Sequence, residues 1–260
     1  MEIILAIPFG LVIGVVVATV GGGGAILALP VLVYVLGEGV SPASTASLIV
    51  VALGASVGAG SQALHGQLCW RVAATFSVPA AAGAYLGTLA SGSVSGRTLI
   101  LAFVPVMLIA AVVTYRRGEA AAEEDESADC PRPGLVPASS AGLAVGALTG
   151  FFGVGGGFLI VPALTVALAL PLRRAIATSL AIITLTGLAA LISHLTNGAE
   201  PDWPLTLVLC GCAAVGALAG SAVGRRLPAR TLARAFGVVV ALVALFLLVD
   251  VLLLGGPPVG

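Results

Sequence analysis

The chain has 260 residues, 59% of them apolar and 8% charged, and its mean hydropathy is +1.18. Apolar runs of about 18 residues or more recur along its whole length, which excludes a soluble globular domain and makes the bilayer its solvent. Eleven acidic and eleven basic residues cancel, and every basic one is Arg, so an extended basic surface for nucleic acid is excluded as well.

The first apolar segment, residues 3–20, has the length of a signal-peptide core. It lacks a basic leader and belongs to a repeat, so it reads as structure. Residues 10–32, GLVIGVVVATVGGGGAILALPVL, return without a gap at 142–164 as GLAVGALTGFFGVGGGFLIVPAL, with 9 of 23 positions identical. Each copy then reads as five apolar segments separated by Gly, Pro or charge. In the first they cover 3–20, 24–36, 42–62, 70–90 and 98–115; in the second, 135–152, 156–170, 175–194, 203–223 and 231–254. Ser47 with Ser179, Trp70 with Trp203, and Gly83 and Gly87 with Gly216 and Gly220 support the register. The stretch between the copies carries six carboxylates and three prolines, too polar for lipid. The expected organisation is a first membrane repeat over 1–116, an acidic cytoplasmic linker over 117–137 and a second repeat over 138–260.

The second segment of each copy is about 20 Å long as a helix, too short for a hydrocarbon core of about 30 Å. Together with the first it could form a re-entrant hairpin, one broken crossing or two strained crossings. The arginines discriminate. If the copies have opposite orientations, ten arginines fall on one side and only Arg97 on the other; a shared orientation splits them 7 to 4. Inversion needs an odd number of crossings per copy, so the first two segments must return to the side they left. The expected fold is an all-α polytopic membrane protein of two inverted repeats, each a Gly-broken re-entrant or short helical hairpin plus three transmembrane helices. Both termini would be non-cytoplasmic.

The glycine clusters Gly21, Gly22, Gly23 and Gly24, and Gly153, Gly155, Gly156 and Gly157, each immediately precede a short helix. Such clusters favour irregular backbone, which survives at membrane depth only where it is buried or lines a cavity. The helix that follows presents free N–H groups and a positive dipole end, the geometry that favours anions. A charge at the bilayer centre costs about 2.5–3.5 kcal/mol, and a helix terminus returns about 0.3–2 kcal/mol. Several backbone N–H bonds to a charged acceptor, at about 1.5–3 kcal/mol each, would tip the balance. Tight helix packing is the competing explanation, and it is preferred for Gly83, Gly87, Gly216 and Gly220.

Hydroxyls of the third segments, Ser47 and Ser179 with Ser44, Thr45 and Thr178 near them, could complete an anion shell, unless each bonds its own helix carbonyl. Gln62 and His194 match by offset at the far end of these segments and are candidates for gating or proton linkage. Asp250 reads as an interface residue. Cys69, Cys130, Cys210 and Cys212 show no metal-ligand spacing and read as structural or incidental. No metal and no cofactor is expected.

The paired motifs GFFGVGGGFLIVPAL at 150–164 and VGGGGAILALPVL at 20–32, each a glycine break followed at fixed distance by Pro162 or Pro30, resemble the sulfite exporter TauE/SafE family of membrane transporters. The ATSL stretch at 177–180 adds to the resemblance, which covers nearly the whole chain. It implies a bacterial-type inner-membrane carrier of sulfite, thiosulfate, sulfonates or related organic anions. The breaks differ at Gly22 against Val154 and at Ala25 against Gly157, so the two hairpins need not contact substrate equally.

With no phosphate-binding loop, transport would run on the substrate's own gradient or on a coupling ion, proton or sodium. The partners expected are therefore a small anion, that ion and the lipid bilayer. A passive anion channel uses the same features. An intramembrane enzyme is disfavoured, because there is no HExxH, no paired aspartates and no serine with a base in reach. Reporter domains fused after residue 116 and after the C-terminus should report opposite sides of the membrane; the same side would overturn the inverted topology.

Overall fold

The computed structural model describes residues 2–22, 24–91, 96–120, 130, 134–152, 157–196 and 201–249. The described residues are almost entirely helical. Helix α1 (Glu2–Val20) is followed by the short α2 (Ala25–Pro30), which continues as a π-helical turn, Val31–Val35. Next come α3 (Val40–Leu64), α4 (Trp70–Ser91) and α5 (Gly96–Ala120). The second copy supplies α6 (Leu135–Phe152), α7 (Gly157–Ala167), α8 (Leu172–Thr196), α9 (Trp203–Arg226) and α10 (Ala229–Val249). Helix α5 continues to Ala120 and α6 begins at Leu135, so helix enters both margins of the stretch read as linker.

Among the described residues six helices, α3, α4, α6, α8, α9 and α10, are long and apolar enough to cross a membrane. Shorter apolar helices run through Leu5–Val20, Ile26–Val35 and Gly157–Ala167. The protein is thus a polytopic helical membrane protein, and large side chains such as Leu89, Leu207 and Leu242 face outward, as they can when the solvent is lipid. The π-helical turn has a local cause. Pro30 cannot donate to the helical ladder, and the bonding slips to the wider spacing seen between the Leu36 N–H and the Val31 carbonyl.

The main packing is reciprocal between the copies. Helix α1 lies along α9, with Leu11 beside Gly216 and Val15 beside Gly220, so the two run parallel. Helix α6 lies along α4 in the same way, with Phe76, Ala80 and Ala84 beside Gly142, Gly146 and Gly150. At Gly14, Gly146 and Gly150 an added Cβ would collide with the partner's backbone, so these are direct backbone contacts. A hydroxyl crosses each seam, Thr19 Oγ1 donating to the Gly220 carbonyl at 3.2 Å and Thr88 Oγ1 to that of Gly150 at 3.4 Å. The packing reading of Gly83, Gly87, Gly216 and Gly220 agrees with these seams.

Equivalent helices meet in the opposite sense. Ala52 lies against Gly187 and Gly58 against Leu180, so α3 and α8 are antiparallel. Ala111 and Tyr115 lie near Gly237, and the Arg234 guanidinium is 6.0 Å from the Tyr115 ring, so α5 and α10 are antiparallel too. These directions gather Arg71, Arg116, Arg117, Arg173, Arg174, Arg225, Arg226, Arg230 and Arg234 at one end of the bundle, while Arg97 begins α5 at the other. Trp70 and Trp203, both half-exposed or more, open α4 and α9 at opposite ends, where amphipathic rings suit the two membrane interfaces.

Replacing Gly146 by Val should force α4 and α6 apart and cost about 3 kcal/mol or more, read as a lowered melting temperature in detergent. Gly211→Ala, where nothing lies within 4 Å of the new methyl, should be neutral or stabilising by up to about 1 kcal/mol.

Candidate functional site

The first glycine break meets the start of α7. The backbone of Gly22 lies against that of Gly157: a Cβ on Gly22 would stand 2.6 Å from the Gly157 carbonyl carbon and 2.7 Å from Ile183 Cδ1. Ile183 is halfway along α8, so the meeting point is at mid-height in the bundle. Gly21 and Gly22 have φ of +75° and +113°, conformations that suit glycine, and these turn the chain from α1 toward α2. Gly24 accepts the first backbone bonds of α2, from Leu27 and Ala28. Gly23, Gly153, Gly155 and Gly156 lie outside the described residues.

On one side of this contact is a cavity of about 500 Å³. Gly157, Ile160 and Ile183 line its inner end, and its walls come from Ile26, Leu29 and Pro30 and from α3, α4, α6, α8 and α10. It extends to Ser44, Thr88, Leu99 and Leu247, each about one turn from the end of its helix, at the end of the bundle away from the arginines. Among the described residues no ionisable side chain lines it; its polar groups are the hydroxyls of Ser44, Ser47, Thr88, Thr149 and Thr186 together with backbone. Ser47, Thr88, Thr149 and Thr186 donate to carbonyls of their own helices, at 2.7–2.9 Å. To hold an anion, each must rotate its proton away from that carbonyl.

On the other side the helices are closely packed. Gly21 packs against Ser179, Ile176 and Val161, and Gly58 against Leu180 and Ala18. Ser179 Oγ lies 2.9 Å from the Gly21 carbonyl and 2.7 Å from that of Ile176, with no exposed surface. Thr178 Oγ1 accepts the N–H of Cys69 at 3.2 Å and so caps the start of α4. Of the five predicted hydroxyl residues, Ser44 and Ser47 line the cavity, while Ser179 and Thr178 belong to the closely packed side and Thr45 is buried nearby in α3. The offset equivalents Ser47 and Ser179 are therefore in unlike surroundings, one against space and the other against packed backbone.

Gln62 lies in the last turn of α3 at the arginine-rich end, buried, with no partner for its Oε1. The side chain of His194 lies outside the described residues. Around Gln62, Arg225 Nη1 donates to Ser61 Oγ at 3.1 Å, and Arg173 Nη1 donates to the Arg225 carbonyl at 2.9 Å, capping the end of α9 with positive charge. Two features escape sequence reasoning. Thr88, Thr149 and Thr186 are not in the glycine motif and carry no mark that they share a cavity. Cys69 and Cys130, 61 positions apart, pair as a disulfide that no spacing rule announces.

The model of the family described as "Sulfite exporter TauE/SafE" matches residues 6–247. The chain belongs to that family. It is 32% identical over 255 residues to a "Probable membrane transporter protein" of Xylella fastidiosa, covering 95% of each chain. Against the "Probable membrane transporter protein YunE" of Bacillus subtilis it is 26% identical over 263 residues, covering 94% of this chain and 96% of the relative. No solved structure matches significantly. The sequence resemblance thus holds over nearly the whole length, and the chain is a membrane transporter, not an enzyme.

Removing the Ser179 hydroxyl takes away a buried bond between α8 and the first break. Ser179→Ala should therefore lower stability by about 1–2 kcal/mol, and Ser47→Ala, whose hydroxyl turns back on its own helix, by less than about 0.5 kcal/mol. Melting both variants in detergent checks the difference.

Proposed function

We propose that the protein is a secondary transporter of small sulfur-containing anions, such as sulfite, thiosulfate or sulfonates, or of related organic anions. The observation that carries this reading is the cavity that ends where Gly22 meets Gly157, running toward one end of the bundle, with close packing on the other side of that contact. A substrate at its inner end would sit at mid-height, beside the N-terminus of the eleven-residue α7. Backbone N–H groups there, the positive end of that helix and inward-turned hydroxyls of Ser44, Ser47 and Thr186 supply the attraction. The glycines allow the ligand to approach the backbone closely.

The antiparallel equivalents, α3 with α8 and α5 with α10, support reading the copies as inverted repeats about an axis in the membrane plane. On that reading the arginine-rich end and the chain between α5 and α6 are cytoplasmic, in a bacterial-type inner membrane, and the cavity faces outward. Transport then consists of opening the packed half around Gly21, Ser179 and Leu180 while the half around Ser47 and Thr149 closes. A proton or sodium gradient, or the substrate's own, drives it. The packed half argues against a permanently open anion channel.

Uptake of labelled sulfite into proteoliposomes, with thiosulfate, small sulfonates, sulfate and chloride as competitors, tests the assignment. Saturable uptake inhibited by a sulfur oxyanion or sulfonate is expected, and Gly157→Val should abolish it while expression persists. Non-saturable flux without counterflow would favour the channel, and no uptake under any imposed gradient would overturn the substrate class.

A further inference from the structure

We propose that Cys69 and Cys130 form a reversible dithiol–disulfide site, closed by low-molecular-weight disulfides, that clamps the arginine-rich end of the bundle shut. The two residues have Cα atoms 5.7 Å apart and are joined as a disulfide. Cys69 is buried immediately before α4, while Cys130 is exposed in the chain leading to Leu135, where α6 begins. This places a sheltered sulfur and an accessible one in one contact. Arg174, in the first turn of α8, points Nη1 at both, 3.1 Å from Cys130 Sγ and 4.0 Å from Cys69 Sγ. A guanidinium there stabilises the negative charge that develops on sulfur during exchange.

The chemistry balances with a small disulfide as oxidant. The Cys130 thiolate attacks it and releases one small thiol, leaving a mixed disulfide on Cys130. The Cys69 thiolate then attacks Cys130 Sγ and releases the second. Two protein thiols and one small disulfide become one protein disulfide and two small thiols, and excess small thiol reverses both steps.

What the bond would hold follows from its neighbours. The Cys69 N–H bonds Thr178, and the next residue, Ser179, bonds the carbonyl of Gly21 in the first glycine break. The bond therefore ties Cys130 to the residue immediately before α4, beside Arg174 and Thr178 at the start of α8, next to the closely packed side of the Gly22–Gly157 contact. With this end in a reducing cytoplasm, the pair rests as thiols and the clamp closes only under disulfide stress.

The test uses the full chain in proteoliposomes, equilibrated with reduced or oxidised glutathione. Oxidation should form the bond, seen by intact mass, and cut sulfite uptake about fivefold or more, with recovery on reduction. Cys130→Ser, which retains Cys210 and Cys212, should keep the reduced rate in both buffers. Amide hydrogen exchange over residues 172–180 should slow on oxidation in the wild-type chain and not in the variant. The uptake arm rests on the anion-carrier reading, and the exchange arm does not: no uptake in either state with redox-dependent exchange would overturn the carrier and support the clamp. A bond that never forms, one that resists reduction, or one that forms with no change in exchange would overturn the clamp.

Discussion

In a bilayer, an apolar helix gains little by leaving lipid for another apolar helix, so association depends on how closely two backbones can approach. Here that approach is made by glycines, with Gly14 and Gly216 along the α1–α9 seam and Gly83, Gly87, Gly146 and Gly150 along the α4–α6 seam. Both seams join one copy to the other. They hold α1 and α6 along long partners, and so fix the heights at which these two helices end. The meeting of Gly22 with Gly157 follows from that placement, since neither short helix has the length to position itself.

The cavity's composition limits the kind of binding it can support. With no guanidinium or ammonium among the described residues of its walls, an anion would be held by oriented dipoles and hydroxyl protons, without an ion pair. Such groups can compensate desolvation without holding the ligand irreversibly, because each contributes about 0.3–3 kcal/mol. The hydroxyls of Ser47, Thr149 and Thr186 already have carbonyl partners, so binding exchanges one hydrogen bond for another. The arginines serve a different purpose at the end of the bundle, where Arg173 closes off the last carbonyls of α9 and Arg225 reaches Ser61.

Much of this was legible in the sequence, and the reason is that lipid leaves few alternatives for a backbone. Segment limits such as 135–152 and the start at Trp203 coincide with helix limits, because only helices satisfy their own polar groups there. The internal repeat located the two breaks, and the family followed from them. The repeat could not show that equivalent positions would differ in environment. Ser47 and Ser179 share a register, but one adjoins a cavity and the other is packed, because the neighbours that each copy meets are not the same. The cavity threonines and the Cys69–Cys130 contact were illegible for another reason: each depends on which helices become neighbours, and periodicity along one helix carries no information about that.

The reciprocal seams also constrain how the molecule is made. The Thr19 hydroxyl finds its acceptor at Gly220, 201 positions later in the chain. When α1 enters the membrane, its partner has not been synthesised, and the same holds for α2, whose break has nothing to meet until Gly157 arrives. The first half must therefore wait in the bilayer with exposed small-residue stripes and an unfinished turn until the second half supplies its partners. Cutting the chain between the copies would leave two pieces that complete each other only by interleaving, so biogenesis of this protein is a problem of delayed assembly.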